Sequence, residues 1–323
     1  VDIYSIMRIG DFMKNLKVIF MGTPEFAVPV LEELIDKTNV LLVVTQPDAP
    51  VGRKKVLTPS PVKQLALSHN IEVFTPEKLR KEYEYILNKK PDIIITCAYG
   101  QIVPKIILDY PEHGCINVHA SLLPKYRGAS PITAAIKNGE ETTGITIMYM
   151  DEGIDTGNII QAKELPILEN DTLGTLSEKL SKLGAKTLID TLPRIMECEN
   201  FDIPQDHEIA TYVSMLKRSD EIIDFNKTRK EVYNFVRSIN PSPLASTKIL
   251  GEEWKIIETK IGPDSKGPVG RVSSINKDSF GIYCTDGEIL ITRVKPAGKK
   301  EMSVKDFFNG FDSSKLKDIE VGD

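Results

Sequence analysis

The segment that decides the fold reads Cys115-Ile116-Asn117-Val118-His119, followed directly by Ala120-Ser121-Leu122-Leu123-Pro124. Its apolar residues predict a buried strand, and Asn117 and His119 are two residues apart, so their side chains point to the same side. After a helix-length gap, a second apolar run leads into a glycine-bounded loop that contains Asp155. Because each polar residue lies at or just past a strand, an amide, an imidazole and a carboxylate can converge at one edge of a sheet. That set suits acyl transfer, which needs a donor for a carbonyl oxygen and groups that manage a proton.

Further strand-like runs precede this segment and alternate with helix-like ones. The predicted strands cover residues 16–21, 40–45, 71–74, 92–97, 115–118 and 145–150, and the predicted helices between them cover 25–34, 62–68 and 78–87. Continuously apolar strands, rather than alternating ones, are typical of a parallel sheet that is covered on both faces. Ligands of such sheets bind at the carboxyl ends of strands, which is where we expect Asn117, His119 and Asp155.

The C-terminal third has a different pattern. A helix predicted over residues 172–195 closes the first domain, and residues 201–216 are polar and irregular, as in a linker. After a helix over 228–239, short strands are predicted at 247–250, 254–258, 269–273, 281–285 and 289–293. Short strands separated by turns indicate a small antiparallel barrel or sandwich. We therefore expect two domains, at 13–200 and 217–323, with residues 1–12 set apart as an extension or tag remnant.

Composition excludes several classes of protein. The 323 residues are 41% hydrophobic and 27% charged with a net charge of −5, which is ordinary for a globular protein and gives no global reason to expect nucleic acid. No apolar run approaches the roughly 20 residues of a membrane span, so we expect a cytoplasmic protein with no membrane partner. The cysteines lack metal-ligand or disulfide spacing and are expected to be buried free thiols, with no metal bound; they are Cys97, Cys115, Cys198 and Cys284.

Two short segments beside the predicted site have the character of a pocket wall. The first, Ser121-Leu122-Leu123-Pro124, is either a turn with core leucines or the wall of a pocket for a flat heteroaromatic ligand. The second follows the strand at 92–97 and includes Tyr99, Gly100, Gln101 and Ile102. Small and apolar residues with free backbone groups suit a ring edged with donors and acceptors.

Two basic segments are candidates for contact with a phosphate backbone. The connection over residues 46–63 is long for a compact domain and carries Arg53, Lys54 and Lys55 at its middle. The second cluster lies among the C-terminal strands and comprises Arg293, Lys295, Lys299 and Lys300. For the loop the phosphate contact is the favoured interpretation, whereas the second cluster taken alone is more often a solvated surface, and both readings stay open.

Four segments, 20–27, 46–63, 117–131 and 150–157, together resemble the folate-dependent formyltransferase family, and within it the members that act on methionyl initiator tRNA. The resemblance implies an α/β fold, with an N-terminal Rossmann-like domain built on a mostly parallel sheet and a small C-terminal β-barrel similar to an OB-fold. It implies that Asn117, His119 and Asp155 are catalytic. It also implies that Ser121 to Pro124 contact the folate, and that the loop around Arg53 and the C-terminal barrel contact tRNA.

The implied reaction moves the formyl group of 10-formyltetrahydrofolate to the amino group of methionyl initiator tRNA without a metal. Asn117 and protonated His119 would stabilise the oxyanion, and Asp155 would support His119 and proton movement. The alternatives are a formyltransferase for another amine, such as a nucleotide sugar or glycinamide ribonucleotide, a folate hydrolase, and a non-catalytic tRNA-binding protein. The chain departs from the family pattern in lacking a second glycine after Arg53 and in having Ser242 where tryptophan is usual. We expect a monomer.

Overall fold

The computed structural model describes residues 13–52, 54–197 and 201–322. The predicted extension at residues 1–12, Arg53 and Cys198 lie outside the described residues. The chain forms two compact units. The first comprises residues up to 128, 143–165 and 177–212, and the second comprises 129–142, 166–176 and the residues from 213 onward.

Short strands and helices alternate along the first half of the chain. The strands are β1 Lys17–Gly22, β2 Asn39–Val44, β3 Ala49–Val51, β4 Val56–Thr58, β5 Val73–Phe74, β6 Ile93–Cys97, β7 Cys115–His119, β8 Arg127–Gly128, β9 Thr142–Tyr149, β10 Ile159–Pro166 and β11 Tyr212–Val213. The α-helices among the described residues include α1 Val28–Lys37, α2 Pro61–Ser68, α3 Leu79–Glu82, α4 Glu84–Leu87, α5 Lys105–Leu108, α6 Pro131–Lys137, α7 Leu173–Met196, α8 Arg229–Ser238 and α9 Val304–Phe308. The predicted alternation of strand and helix is therefore confirmed up to β7.

A seven-stranded sheet in the order β10-β9-β7-β6-β1-β2-β5 forms the first unit. The pairs β1–β2, β1–β6, β2–β5 and β6–β7 are parallel. All five residues of β6 are buried, and five of the six residues of β1 are buried. This burial explains why these strands read as continuous apolar runs, since a strand covered on both faces has no polar side. The mostly parallel sheet was predicted and is confirmed.

One strand runs against the predicted direction. In the pairing of β7 with β9, His119 lies opposite Thr146 and Ile116 lies opposite Tyr149, so β9 is antiparallel to β7. Its carboxyl end therefore lies beside the amino end of β7, and the loop after it must turn back before Asp155 can reach the site. The apolar run could not encode this direction, because β9 is buried along most of its length whichever way it runs.

Hydrogen bonds tie together the loops at the carboxyl ends of β1, β2 and β6. The Thr23 hydroxyl donates to the Tyr99 carbonyl at 2.8 Å, and the Gln46 side-chain amide donates to the same carbonyl at 3.2 Å. Thr45 and Ser60 share a hydrogen bond of 2.7 Å between their hydroxyls. Ser60 also caps α2 by accepting from the Lys63 backbone N–H. These bonds hold the loop that begins at Tyr99 in a defined place beside the sheet edge.

The second unit is built on α8 and an antiparallel sheet. The strands are β12 Ala245–Ile249, β13 Glu252–Ile261, β14 Val272–Ile275, β15 Phe280–Cys284, β16 Gly287–Lys295 and β17 Met302–Ser303. Their order is β12-β13-β16-β15-β14, with β17 on β16. Helix α8 starts with a capping box between Thr228 and Glu231, and it buries Val232 and Val236 in the same core as Trp254. The predicted antiparallel C-terminal sheet is confirmed.

The sequence also led to predictions about the cysteines and about membrane spans. Cys97, Cys115 and Cys284 are buried free thiols, as predicted, and burial raises the pKa of each to about 12. Among the described residues, no helix is long and apolar enough to cross a membrane.

Replacement of Trp254 by alanine tests the core of the second unit. Trp254 is 3% exposed and packs edge-on against Phe307 with ring centroids 4.9 Å apart. We expect Trp254→Ala to lower the free energy of unfolding by about 3–5 kcal/mol, measured by urea denaturation of the full chain. Ile261→Ala is the control, because that side chain on the same strand is 44% exposed; a loss there as large as for Trp254 would contradict the assignment of the core.

Candidate active site

Strand β7 and its neighbour β6 fix the amide of Asn117. Thr96 lies beside Asn117 in the parallel register of the two strands. The Thr96 hydroxyl donates to Oδ1 of Asn117 at 2.9 Å. With Oδ1 held in this way, Nδ2 faces the opposite direction and donates to Oδ1 of Asp155 at 3.3 Å. An amide nitrogen carries two hydrogens, so this arrangement directs one of them to Asp155 and leaves the second to be aimed at a bound group.

The ring of His119 lies on the same side of β7 and is 6% exposed. Its Nε2 is 3.0 Å from the carbonyl oxygen of Tyr126. Because a carbonyl only accepts, Nε2 must carry the hydrogen of this bond. Nδ1 faces Asp155, with 3.6 Å between Nδ1 and Oδ2. That distance is long for a hydrogen bond, so Nδ1 is not committed to the carboxylate in this structure.

Asp155 receives donors from two directions although it follows the reversed strand β9. Its Oδ2 accepts the Gly128 backbone N–H at 2.8 Å, in addition to the contact of Oδ1 with Asn117. Its backbone has a φ of 52°, in the left-handed region. For a residue other than glycine this conformation costs about 1 kcal/mol or more, so the surrounding loop must hold it in place. The structure thus brings the three predicted residues together, with Asn117 and His119 facing the carboxylate of Asp155.

The segment from Ser121 to Pro124 forms a turn next to this group. Ser121 is buried and its hydroxyl donates to the Lys125 carbonyl at 2.7 Å, and the Leu123 N–H donates to the Thr146 hydroxyl at 3.1 Å. These polar groups serve the turn itself. Leu122 and Pro124 are half-buried and so keep apolar surface that a ligand could cover.

Four residues of the loop that follows β6 were predicted to line a pocket. Of these, Ile102 is the most exposed, at 90%. The Tyr99 ring is instead buried in the core of the first unit, where burial raises the pKa of its phenol. The Gln101 amide donates to the Pro76 carbonyl at 3.0 Å and accepts from the Leu79 N–H at 3.0 Å. Gly100 has a φ of 92°, a conformation that favours glycine. Tyr99 and Gln101 therefore build the loop, and Ile102 lies open at its surface.

The predicted basic loop is a small hairpin rather than an irregular connection. β3 and β4 pair antiparallel, and Gly52 and Lys55 take positive φ values of 71° and 48° in the turn between them. Lys54 and Lys55 are exposed at this turn. The sequence did not reveal the hairpin because its strands have only three residues each and bury no apolar side. Arg53 lies outside the described residues.

The second basic cluster is less positive than its sequence suggests. Arg293 forms an ion pair of 2.5 Å with Glu301, which follows the cluster directly in the sequence. The Lys299 ammonium lies 5.1 Å from the centroid of the Phe307 ring. Lys295 and Lys300 are exposed.

Sequence reasoning missed the residues that support the three predicted ones. Thr96 orients Asn117, the Tyr126 carbonyl holds His119, and Gln205 donates to the backbone of the Asp155 loop. The role of Thr96 could have been predicted, because a threonine near the end of an otherwise apolar strand supplies a hydrogen-bond donor at the predicted site. Gln205 carries no such signal, since it lies in the polar, irregular segment 201–216 that is predicted to be a linker.

Comparisons with known proteins agree over nearly the whole chain. Residues 14–192 match the family described as Formyl transferase, and residues 215–312 match Formyl transferase, C-terminal domain. The methionyl-tRNA formyltransferase of Staphylococcus epidermidis is 47% identical to this chain, over 92% of this chain and 97% of that protein. The methionyl-tRNA formyltransferase of Bacillus subtilis is also 47% identical, over 95% of this chain and 96% of that protein. An N-formyltransferase from Helicobacter canadensis, solved with folinic acid and dTDP-3-aminofucose, is 26% identical with a TM-score of 0.62, covering 85% of this chain and 98% of that one.

Replacement of Thr96 by valine tests whether the Asn117 amide must be oriented. Valine has the shape of threonine but cannot donate to Oδ1, so the amide is free to rotate. We expect turnover at this site to fall about tenfold, which corresponds to one lost hydrogen bond of about 1.4 kcal/mol. Thr191→Val is the control, because its buried hydroxyl bonds the Thr187 carbonyl within α7. Both variants should lose similar stability in thermal unfolding, and equal turnover in the two would contradict the orienting role.

Proposed function

Because the chain belongs to the formyl transferase family, we propose that it transfers the formyl group of 10-formyltetrahydrofolate to the amino group of methionyl initiator tRNA. The relatives that are 47% identical over nearly their whole length are methionyl-tRNA formyltransferases, which supports this acceptor. The observation that carries the chemistry is the contact of the Asn117 amide and the His119 ring with one carboxylate, that of Asp155.

The first step is attack of the methionyl amine on the formyl carbon. A carbon–nitrogen bond forms, and the electron pair of the carbonyl moves to its oxygen. The second hydrogen of Asn117 Nδ2 is one donor to this oxyanion. The other is Nδ1–H of the protonated His119 ring, because Nε2–H is already bonded to the Tyr126 carbonyl. At 3.6 Å from Asp155, Nδ1–H makes no close hydrogen bond to the carboxylate and can donate to a substrate oxygen that binds beside it. Loss of one such donor typically costs about 2.7–4 kcal/mol of barrier.

The second step requires movement of a proton and departure of the folate. The attacking nitrogen must lose one proton, and the folate nitrogen must gain one as its bond to the formyl carbon breaks. Asp155 is the group beside both donors that can accept a proton and return it. Its carboxylate is held by the Gly128 N–H, so it can do this without changing position.

The folate would lie at the carboxyl edge of β6 and β7. Ile102 is 90% exposed and Ile154, in the loop of Asp155, is 65% exposed. Large exposed apolar side chains in the loop after β6 and in the loop of Asp155 suit a flat ring that covers them. Leu122 and Pro124 would add to this surface, whereas the side chains of Tyr99, Gln101 and Ser121 act through the loops that they stabilise.

The tRNA would contact the hairpin of β3 and β4. Lys54 and Lys55 are exposed at its turn beside Arg53, and the strands also expose Val51, Val56 and Leu57. Positive charge draws a phosphate backbone, and exposed apolar side chains can stack on unpaired bases of an acceptor end. Of the second cluster, we propose Lys295 and Lys300 as the stronger candidates, since Arg293 is paired with Glu301.

A nucleotide sugar is the second candidate acceptor. The Helicobacter canadensis structure contains dTDP-3-aminofucose, so the same fold accommodates an amino sugar there. The lower identity of that protein, 26% against 47%, favours the tRNA acceptor for this chain.

Replacement of His119 by alanine tests the proposed chemistry. We expect His119→Ala to lower transfer of labelled formyl to methionyl initiator tRNA by about 10²–10⁴-fold, because it removes both a donor and a proton-managing group. Folding is checked by thermal unfolding, and the exposed His69 provides the control variant His69→Ala. Turnover near that of the wild type in a folded His119→Ala protein would refute the assignment.

Removal of the hairpin charges tests the proposed tRNA contact. We expect Lys54→Ala/Lys55→Ala to raise KM for tRNA about tenfold and to reduce the slope of log affinity against log salt by about 1–2. KM for the folate should not change. The control is Lys182→Ala/Lys186→Ala on α7, which removes the same charge from two exposed positions. An equal effect of both pairs would mean that only net charge matters.

A further inference from the structure

A fully buried arginine lies behind the candidate site. Arg127 is 0% exposed and is the largest of the fully buried side chains among the described residues. Its guanidinium bonds neutral groups: Nε and Nη2 donate to Gln205 Oε1 at 3.1 and 2.7 Å, and Nη1 donates to the Tyr212 hydroxyl at 2.8 Å. Nη2 is also 3.2 Å from Nδ1 of His207, which must accept because a guanidinium only donates. A buried charge is costly to keep, so these bonds point to a specific task.

That task is the orientation of Gln205. Two donors from Arg127 converge on Oε1, so the amide cannot flip and Nε2 must face away from the guanidinium. Nε2 donates to the Asp155 carbonyl at 2.9 Å and to the Gly157 carbonyl at 2.7 Å. Both hydrogens of the amide are thereby directed to the backbone of the loop that carries the Asp155 carboxylate.

The loop needs this support on two grounds. Asp155 has a φ of 52°, in the left-handed region that most residues other than glycine avoid. Gly157 passes so close to the Tyr149 carbonyl that an added Cβ would lie 1.9 Å from its oxygen. The two carbonyls that Gln205 holds are those of these residues, so the amide fixes the backbone where it is least regular.

The chain around Gln205 is attached to both loops of the site. Ile203 and Ile159 exchange backbone hydrogen bonds of 2.8 Å, and Asn158 donates to Asp202 at 2.6 Å. At the other end, Thr211 accepts the Tyr126 N–H on its hydroxyl and the Arg127 N–H on its carbonyl, each at 2.8 Å. The Tyr126 carbonyl in turn holds His119. Residues 202–212 therefore connect the loop of Asp155 to the loop that orients His119.

We propose that Arg127 and Gln205 are a positioning pair, which sets the backbone of residues 155–157 so that the Asp155 carboxylate meets Asn117 and His119. Neither side chain contacts the reacting atoms. The pair acts through Asp155, and its kinetic consequence rests on the proposed function. The segment that was predicted to be a linker would thus support the candidate site through the backbone of the Asp155 loop.

The test uses Gln205→Glu in the full chain. Glutamate still accepts from Arg127, so the fold should survive, but it cannot donate to the two carbonyls. We expect kcat for formyl transfer to fall about 100-fold with both KM values changed less than about twofold, as for a misplaced catalytic group. In an Asp155→Asn background, the same substitution should change the single-turnover rate less than about twofold, because a group that acts only through Asp155 has nothing left to position.

A second readout does not depend on the acceptor. Hydrogen exchange followed by mass spectrometry should show faster exchange of residues 151–158 in Gln205→Glu than in the wild type. Gln161→Ala is the matched control, since Gln161 donates to a backbone carbonyl, that of Ala162, away from the site. Gln205→Met replaces the glutamate variant if the latter does not fold.

Wild-type kcat with wild-type exchange would overturn the proposal, and so would losses that simply multiply in the Asp155→Asn background. A wild-type protein that transfers no formyl group to tRNA would refute the proposed function, and the exchange experiment would still decide the role of Gln205.

Discussion

The carboxylate of Asp155 needs donors around it, because the loops of the first unit remove most of its contact with water. It finds them in the Asn117 amide and the Gly128 N–H, with the His119 ring beside it. Each donor is itself held: Asn117 by Thr96, and His119 by the Tyr126 carbonyl. The same contacts that satisfy this partly buried charge therefore orient the amide and the imidazole of the proposed reaction.

The sheet explains why these groups can be so well fixed. β6 and β7 are neighbouring parallel strands, and their register places Thr96 beside Asn117. Side chains on rigid central strands lose little further freedom when substrate binds, which favours catalysis by positioning. Asp155 instead lies in a loop that follows an antiparallel strand, so its position depends on hydrogen bonds to the backbone of that loop. The site thus combines two residues placed by the sheet with one placed by a supported loop.

The sequence predicted the parts of this arrangement that follow from local pattern. Apolar runs located the strands, and the spacing of Asn117 and His119 indicated a shared face. The direction of β9 could not be predicted, because a strand buried along most of its length has the same pattern either way. The hairpin at Lys54 and Lys55 could not be predicted, because its strands have three residues each and are too short to show an alternation of apolar and polar side chains. Gln205 was missed because its role depends on contacts with residues about 50 positions away.

The central claim is that this carboxylate-centred site transfers a formyl group to an amine on tRNA. The most direct measurement is to give the wild-type protein labelled 10-formyltetrahydrofolate together with methionyl initiator tRNA, an amino-sugar nucleotide and glycinamide ribonucleotide in one mixture, and to follow the label. We predict that it appears on the methionyl amine. Label on another amine, or released as free formate, would contradict the proposed acceptor, and no transfer at all would contradict the assignment of the site.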